Sequence, residues 1–363
     1  MRDVTVVLLE DGMAATSITP VEVLSSAGVL WNALQGHPEE PAFRVRTASI
    51  DGGPVASACG VGLVPQAALH EVGRTDIVVL AASGADFDRK LAQNRVLVPW
   101  LAHQHSNGAY IAAICSGVVY LAEAGLLDGR VSTSHWALCG ELARRYPRAL
   151  WQPDRFVTED SRVLCSGGVY AAADLSLYLV EKFAGHRTAL ECAKAMLLPM
   201  PRSHQSSYSM LPVSRPHDDG RIRIIEENLH AGLAESVCTP ELANRAGMGV
   251  RTFIRRFKAA TGKSPAEYVQ ALRVAAAKSM LEAGPTPIQS ISTQVGYSDL
   301  AFFRALFKRE TGMTPAEYRA EFAPLAVSGT HSPPEQSAAM GGVAPGETFS
   351  ALARLPRSEG RSG

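Results

Sequence analysis

Phe253-Ile254-Arg255-Arg256-Phe257-Lys258-Ala259-Ala260-Thr261-Gly262-Lys263-Ser264-Pro265-Ala266-Glu267-Tyr268 is answered fifty residues later by Phe303-Arg304-Ala305-Leu306-Phe307-Lys308-Arg309-Glu310-Thr311-Gly312-Met313-Thr314-Pro315-Ala316-Glu317-Tyr318, with nine of sixteen positions identical. Identity at that density is not chance. Two copies are too few to stack into a solenoid, so the period marks a duplicated supersecondary unit. In each copy the phenylalanines fall at i and i+4 on one face of a helix, Thr-Gly supplies its C-cap, and Ser264-Pro265 or Thr314-Pro315 opens the next helix.

A shorter helix and a turn precede each copy, at residues 239–247 and 288–297. Helix, glycine-containing turn and basic helix is the helix-turn-helix layout. Residues 221–322 resemble the DNA-binding domain of AraC-type transcription regulators, in which two such units are joined by one long helix. The most specific stretch is Val295-Gly296-Tyr297-Ser298-Asp299-Leu300-Ala301-Phe302-Phe303-Arg304, continuing through Thr311-Gly312-Met313-Thr314-Pro315. Residues 268–281 read as the joining helix, with Arg273 and Lys278 on its polar side.

Charge supports a division of labour. Residues 221–322 hold 14 Lys and Arg against 10 Asp and Glu, a net of +4, while residues 1–200 hold 16 against 20, a net of −4. The whole-chain balance of zero conceals an acidic half and a basic one. A single arginine is more often a solvated surface group than a DNA ligand, but duplication shifts that balance. Arg251, Thr252 and Arg255 in the first basic helix, and Asp299, Ala301 and Arg304 in the second, lie off the phenylalanine face and are the candidates to reach base edges. Arg256, Lys258 and Lys308 are expected to grip phosphate.

The 363 residues allow two ordinary domains, and 46% hydrophobic content gives each a core. The first ten residues read as one short apolar strand, and no eighteen apolar residues run uninterrupted, so a cytoplasmic location without a membrane span is expected. The six cysteines form no C-x-x-C pair and no ligand spacing with histidine, which implies reduced thiols, no metal and no cofactor. Apolar runs at 4–9, 43–49, 77–80 and 110–114 read as strands separated by helical stretches such as 21–27 and 96–103. The predicted fold class is α/β, a flavodoxin-like doubly wound parallel sheet, followed by an all-α domain with two helix-turn-helix units.

After the strand at 110–114 comes Ala113-Ile114-Cys115-Ser116-Gly117-Val118, then a helix at 119–124. Strand, sharp turn with a thiol, and helix is nucleophile-elbow geometry, and a cysteine at a helix N-terminus is expected to have a lowered pKa. With Ala124-Gly125-Leu126-Leu127-Asp128-Gly129-Arg130, Ser134-His135-Trp136, Ser166-Gly167-Gly168 and Asp174, residues 2–185 resemble the class I glutamine amidotransferase-like fold, in its PfpI/ThiJ branch.

The catalytic pattern of that branch is incomplete here. The chain's His-x-Glu pattern, His37-Pro38-Glu39, precedes the thiol instead of following it; Ser116 stands where protease-like members have histidine; and Thr16 falls where many relatives place an acid. His135 remains as a candidate base for Cys115, although a histidine before tryptophan is more often a pocket wall. Asp174, in an apolar helix at 171–180, needs a partner such as a helix terminus or hydroxyl. The two domains in this order resemble the GlxA-type members of the AraC group. That resemblance implies a degenerate sensor domain binding a small nitrogenous or amino-acid-like effector near Gly84, Cys115, Ser116, His135 and Trp136. It also implies double-stranded DNA as partner, RNA polymerase as a further one, and a homodimer. A cysteine-dependent hydrolase or hydratase using Cys115, and a thiol redox sensor, are the alternative readings.

The domain boundaries expected are 1–185 for the sensor, 186–217 for a linker rich in Pro, Ser and His, 218–322 for the DNA-binding domain, and 323–363 for a disordered tail.

Overall fold

The computed structural model describes residues 1–202, 204–208, 217–235 and 238–323, and the chain divides into two units after residue 203. The expected tail, from 324 on, and residues 209–216 of the expected linker lie outside the described residues.

The strands of the first unit are β1 (Arg2–Val7), β2 (Phe43–Ser49), β3 (Val55–Ala56), β4 (Gly62–Leu63), β5 (Ala67–Ala68), β6 (Ile77–Leu80), β7 (Tyr110–Ile114), β8 (Val131–Ser132), β9 (Leu150–Trp151), β10 (Val157–Asp160) and β11 (Val163–Ser166). Seven of them form one sheet in the order β10-β11-β7-β6-β1-β2-β5. Its parallel strands run β11-β7-β6-β1-β2, so the third long strand crosses to the far side of the first and the flavodoxin-like order is observed. β10 adds an antiparallel edge.

Eight helices cover this sheet: α1 (Ala15–Ser26), α2 (Leu30–Leu34), α3 (Phe87–Gln93), α4 (Leu97–Ser106), α5 (Val118–Glu123), α6 (Trp136–Arg145), α7 (Ala171–Ala184) and α8 (His186–Ala195). Alternate residues of each central strand point to opposite faces, so one strand feeds two cores. Val4, Val6, Val79 and Ile114 pack with Leu24 of α1, Leu175 and Leu179 of α7 and Ala189 of α8, whereas Val78, Leu80, Ile111 and Ala113 pack with Leu97 and Leu101 of α4 and Leu121 of α5. A strand buried on both faces must be apolar throughout, which is why β6 and β7 read as unbroken apolar runs.

The first unit extends past the boundary expected at 185. α8 buries Ala189 and Cys192 against the sheet domain, and Arg202 binds Asp174 through its main-chain N–H at 2.7 Å and its guanidinium at 2.8 and 3.2 Å. Arg202, not a helix terminus or a hydroxyl, is therefore the partner that lets Asp174 be 3% exposed.

The second unit is helical: α9 (Gly220–Ala231), α10 (Thr239–Arg245), α11 (Val250–Thr261), α12 (Pro265–Ala283), α13 (Ile288–Gln294), α14 (Leu300–Thr311) and α15 (Pro315–Phe322). The repeated residues do the same structural work twice. Phe253, Phe257, Phe303 and Phe307 are fully buried. Tyr268 and Tyr318 meet Phe257 and Phe307 edge to face at 5.3 and 5.4 Å. Gly262 and Gly312 end α11 and α14 at φ 84° and 81°, a left-handed conformation in which a Cβ is strained. Ser264 with Glu267, and Thr314 with Glu317, form capping boxes that start α12 and α15.

Two cations expected on the polar side of the joining helix, now α12, turn inward instead. The Arg273 guanidinium donates to the carbonyls of Leu233, Gly296 and Glu235 at 2.8 to 3.1 Å and stacks 5.0 Å from the Tyr297 ring. Lys278, 9% exposed, donates to the Ser206 carbonyl at 3.2 Å and lies 5.6 Å from the Tyr318 ring, and burial pushes its pKa down. Residues expected in the linker thus belong to this unit. Gln205 and Ser207 are buried, and Tyr208 packs edge-on against Phe322 and donates its hydroxyl to Glu321.

Candidate nucleic-acid interface and elbow site

α10 with α11, and α13 with α14, are the two helix-turn-helix pairs, with Gly247 (φ 65°) and Gly296 (φ 87°) following their first helices. α11 and α14 occupy the recognition position. With the phenylalanines buried, Arg251, Thr252, Arg255 and Lys258 on α11 are exposed, as are Ala301, Arg304 and Lys308 on α14. Of the identical pairs, Lys258 and Lys308 are the solvent-facing cations, each directly following the second phenylalanine of its helix.

Two expected contacts are spoken for within the fold. The Arg256 guanidinium grips Asp219, the N-cap of α9, through two hydrogen bonds of 2.8 and 2.9 Å, so it braces α11 against α9 instead of reaching phosphate. Asp299 caps α14, accepting from the N–H groups of Ala301 and Phe302 at 2.8 and 3.1 Å. That carboxylate oxygen serves the helix terminus. Sequence reading missed two exposed apolar residues on the same surfaces, Ile254 (39% exposed) and Phe302 (49%). Phe302 is adjacent to the buried Phe303, and 100° per residue of helical rotation was the signal that separates the two roles.

The elbow in the first unit is built as its motif requires. Cys115 sits at φ 55°, left-handed for a residue with a Cβ, at the end of β7. Gly117 is needed because a Cβ there would lie 2.6 Å from the Ala81 carbonyl oxygen. Ser116 Oγ accepts from the Ser83 N–H at 3.1 Å, and Ser134 Oγ donates to the Cys115 carbonyl at 2.8 Å. Gly84 (φ 82°) is half-buried, as are His135 and Trp136, whose rings lie 5.1 Å apart. The motif glycine Gly168 leaves room for His135: a Cβ would stand 2.5 Å from its Cδ2.

Burial pushes the Cys115 thiol up to about 11, against the smaller opposing pull of the Ser116 and His135 main-chain N–H groups, so the lowered pKa expected from helix geometry is overturned. Desolvation outweighs the amides because Cys115 is 9% exposed. His135 Nδ1 accepts from the Ala137 N–H at 3.1 Å, capping α6, and burial lowers its pKa. Thr16, in the position of the missing acid, is fully buried; its hydroxyl donates to the Met13 carbonyl at 2.7 Å and accepts from the Ala82 N–H at 3.2 Å. Among the described residues no group of three His, Cys, Asp or Glu could hold a metal ion, and no helix is long and apolar enough to cross a membrane.

Comparison with known proteins agrees with both halves. Residues 4–182, from β1 into α7, match the DJ-1/PfpI family, and residues 242–321, from α10 into α15, match a helix-turn-helix domain. The chain joins a DJ-1/PfpI domain to an AraC-type helix-turn-helix domain. It is similar to the HTH-type transcriptional regulator CdhR of Pseudomonas aeruginosa, 27% identical over 280 residues that cover 77% of this chain and 82% of that protein. It is likewise similar to the HTH-type transcriptional regulator GlxA of Rhizobium meliloti, 25% identical over 292 residues, covering 79% and 87%. Protein DJ-1alpha of Drosophila melanogaster is 33% identical over 147 residues, covering 40% of this chain and 66% of that one.

For the DJ-1/PfpI domain the thiol's pKa has a direct consequence. At pH 7 a pKa near 11 leaves about one thiolate in 10⁴, so iodoacetamide should alkylate Cys115 about 100-fold more slowly than an unperturbed thiol, gaining tenfold per pH unit up to about 11. Cys59, exposed and with its pKa lowered by the Ser57 hydroxyl, should label first. Site-resolved mass spectrometry checks this. Rapid labelling of Cys115 at pH 7 would restore the hydrolase and redox readings.

Proposed function

We propose that this chain is a cytoplasmic, sequence-specific, DNA-binding transcriptional regulator, whose DJ-1/PfpI domain senses a small nitrogenous metabolite instead of catalysing its conversion. The observation that carries the reading is the duplicated unit: two recognition helices anchored by the same buried phenylalanines present the same exposed lysine, with exposed arginines beside it at positions that differ between the copies. The regulators to which the chain is similar over most of its length support it. Against turnover at the elbow stand the protonated Cys115, the Nδ1 of His135 occupied by a helix cap, and threonine in place of an acid. Gly84, Cys115, Ser116, His135 and Trp136 then serve as effector contacts at the carboxyl edge of the sheet, where ligands enter this fold class.

In this mechanism α11 and α14 enter successive major-groove segments about one helical turn, or roughly 10 base pairs, apart. Arg251, Thr252, Arg255, Ala301 and Arg304 face base edges, and Lys258 and Lys308 hold phosphate. A homodimer would pair two such footprints, and RNA polymerase is the partner through which bound regulator acts.

Genome-wide mapping of bound sites followed by anisotropy on the recovered duplexes tests the proposal. Arg255→Ala should cost about 1 to 3 kcal/mol at one base position and relax specificity there. Equal weakening on every sequence would reassign Arg255 to the backbone, and a full chain that prefers no duplex over random competitor would sink the regulator reading.

A further inference from the structure

We infer that α14 reads its groove segment chiefly by apolar contact with the C5-methyl groups of thymine, whereas α11 reads its own by hydrogen bonds, so that the two halves of one footprint differ in chemistry. The inference rests on the regulator reading proposed above and deepens it by naming what each recognition helix selects.

The two helices can be compared position by position, because each residue of α11 has its counterpart on α14 fifty residues later. What seats the helix is unchanged: Phe253 and Phe257 are matched by Phe303 and Phe307, all fully buried, and the Thr261-Gly262 stop by Thr311-Gly312. The exposed lysine, Lys258 or Lys308, is unchanged too. At 100° per residue, the positions turned farthest from the buried phenylalanines are 251 and 255 on α11, and 301 and 305 on α14. They hold Arg251 and Arg255 in one helix but Ala301 and Ala305 in the other, and all four are exposed. On one flank of this face, exposed Thr252 is matched by exposed Phe302; on the other, exposed Ile254 is matched by exposed Arg304. The hydrogen-bonding side chains at 251, 252 and 255 are thus replaced on α14 by side chains of carbon alone, while seat and phosphate-facing lysine are kept.

Each set has its own complement in the major groove. Arginine donates to the paired acceptors of guanine, whereas alanine and phenylalanine side chains have neither donor nor acceptor, and the feature of a base edge that matches them is the thymine methyl. Phe302 is positioned for such a contact. Its ring lies 5.6 Å from that of Tyr297, in the turn before α14, and the Arg273 guanidinium stacks on Tyr297 in turn, so the ring has little side-chain freedom left to lose on binding. Arg304 and Lys308 stand exposed beside the apolar face. A surface that is apolar at its centre and cationic at its border fits a partner with the opposite border, and thymine methyls lying between two phosphate strands have that layout.

Selection of duplexes from a random library with the full chain, followed by anisotropy on the preferred duplex with single base replacements, tests the assignment. Uracil in place of thymine removes only the methyl group, and a deazaguanine lacking N7 removes one guanine acceptor. Arg255→Ala marks the half beneath α11 by relaxing a base preference there, and the half beneath α14 lies about one helical turn away. In the α14 half, uracil at a contacted thymine should weaken binding about fourfold, the worth of one buried methyl group. In the α11 half, the deazaguanine should weaken binding about tenfold and uracil should do little. Phe302→Ala, at a half-exposed position, should fold and should bind uracil and thymine duplexes equally at the base that Phe302 covers. An α14 half with no selected thymine, uracil without effect there, or a uracil penalty that survives Phe302→Ala would overturn the inference. Uniform weakening by Phe302→Ala with the penalty intact would assign Phe302 to a protein partner instead. If the full chain prefers a duplex and any of these results is found, this inference alone falls; if it prefers no duplex, the regulator reading falls and takes this one with it.

Discussion

Affinity for duplex DNA should fall about 10³-fold between 50 and 200 mM salt if the paired units neutralise about six phosphates between them. The magnitude follows from counterion release: each neutralised phosphate frees condensed cations, so the logarithm of affinity falls with the logarithm of salt at a slope of about −0.9 per contact. The second unit supplies the cations in duplicate, with Lys258 and Lys308 exposed at equivalent places on α11 and α14 and Arg251, Arg255 and Arg304 exposed beside them. Replacing Lys258 and Lys308 together by alanine should reduce the slope by about 2 and weaken all sequences alike, because phosphate contacts carry no base information. Arg256→Ala should act differently. Its guanidinium is committed to Asp219, so the change should loosen α11 against α9 and leave the slope nearly unchanged. Anisotropy titrations across a salt series read both quantities, and a flat salt dependence would exclude the groove-facing orientation of these helices.

Phe307→Ala should remove about 3 to 5 kcal/mol from the stability of the second unit, a large fraction of what a domain of this size possesses. Phe307 is fully buried, lies 5.9 Å from Phe303 and takes the edge of Tyr318 at 5.4 Å, so its loss opens a cavity among groups pinned by two helix caps. The whole second helix-turn-helix should loosen, because α12, α14 and α15 share that core. Phe302→Ala, one residue from the buried pair and 49% exposed, should cost no more than about 1 kcal/mol. Denaturant titration compares them directly; equal losses would mean that burial is not what the repeated phenylalanines contribute.

Most of the architecture was legible in one dimension because it depends on near-neighbour relations. Apolar runs at β6 and β7 announce strands buried on both faces, and the repeated Phe, Thr-Gly and Pro-Ala-Glu-Tyr announce a helix, its stop and the capping box that follows. The elbow was legible for the same reason, since left-handed Cys115 and close-packed Gly117 are consequences of the three-residue turn between β7 and α5. Partners distant along the chain were not. Nothing near Arg256 in the sequence names Asp219, and nothing near Asp174 names Arg202.

Local pattern, set by backbone period and capping chemistry, determined by itself the two domains, their order and the duplicated reading heads. Tertiary packing alone decided which charged groups remain for function. It drew Arg256, Arg273 and Lys278 into the fold, left Lys258 and Lys308 in solvent, and buried Cys115 until desolvation overcame the helix that should have activated it. The physical reason is that a side chain's charge and reactivity depend on what surrounds it in space, and those surroundings come from segments tens to more than a hundred residues away.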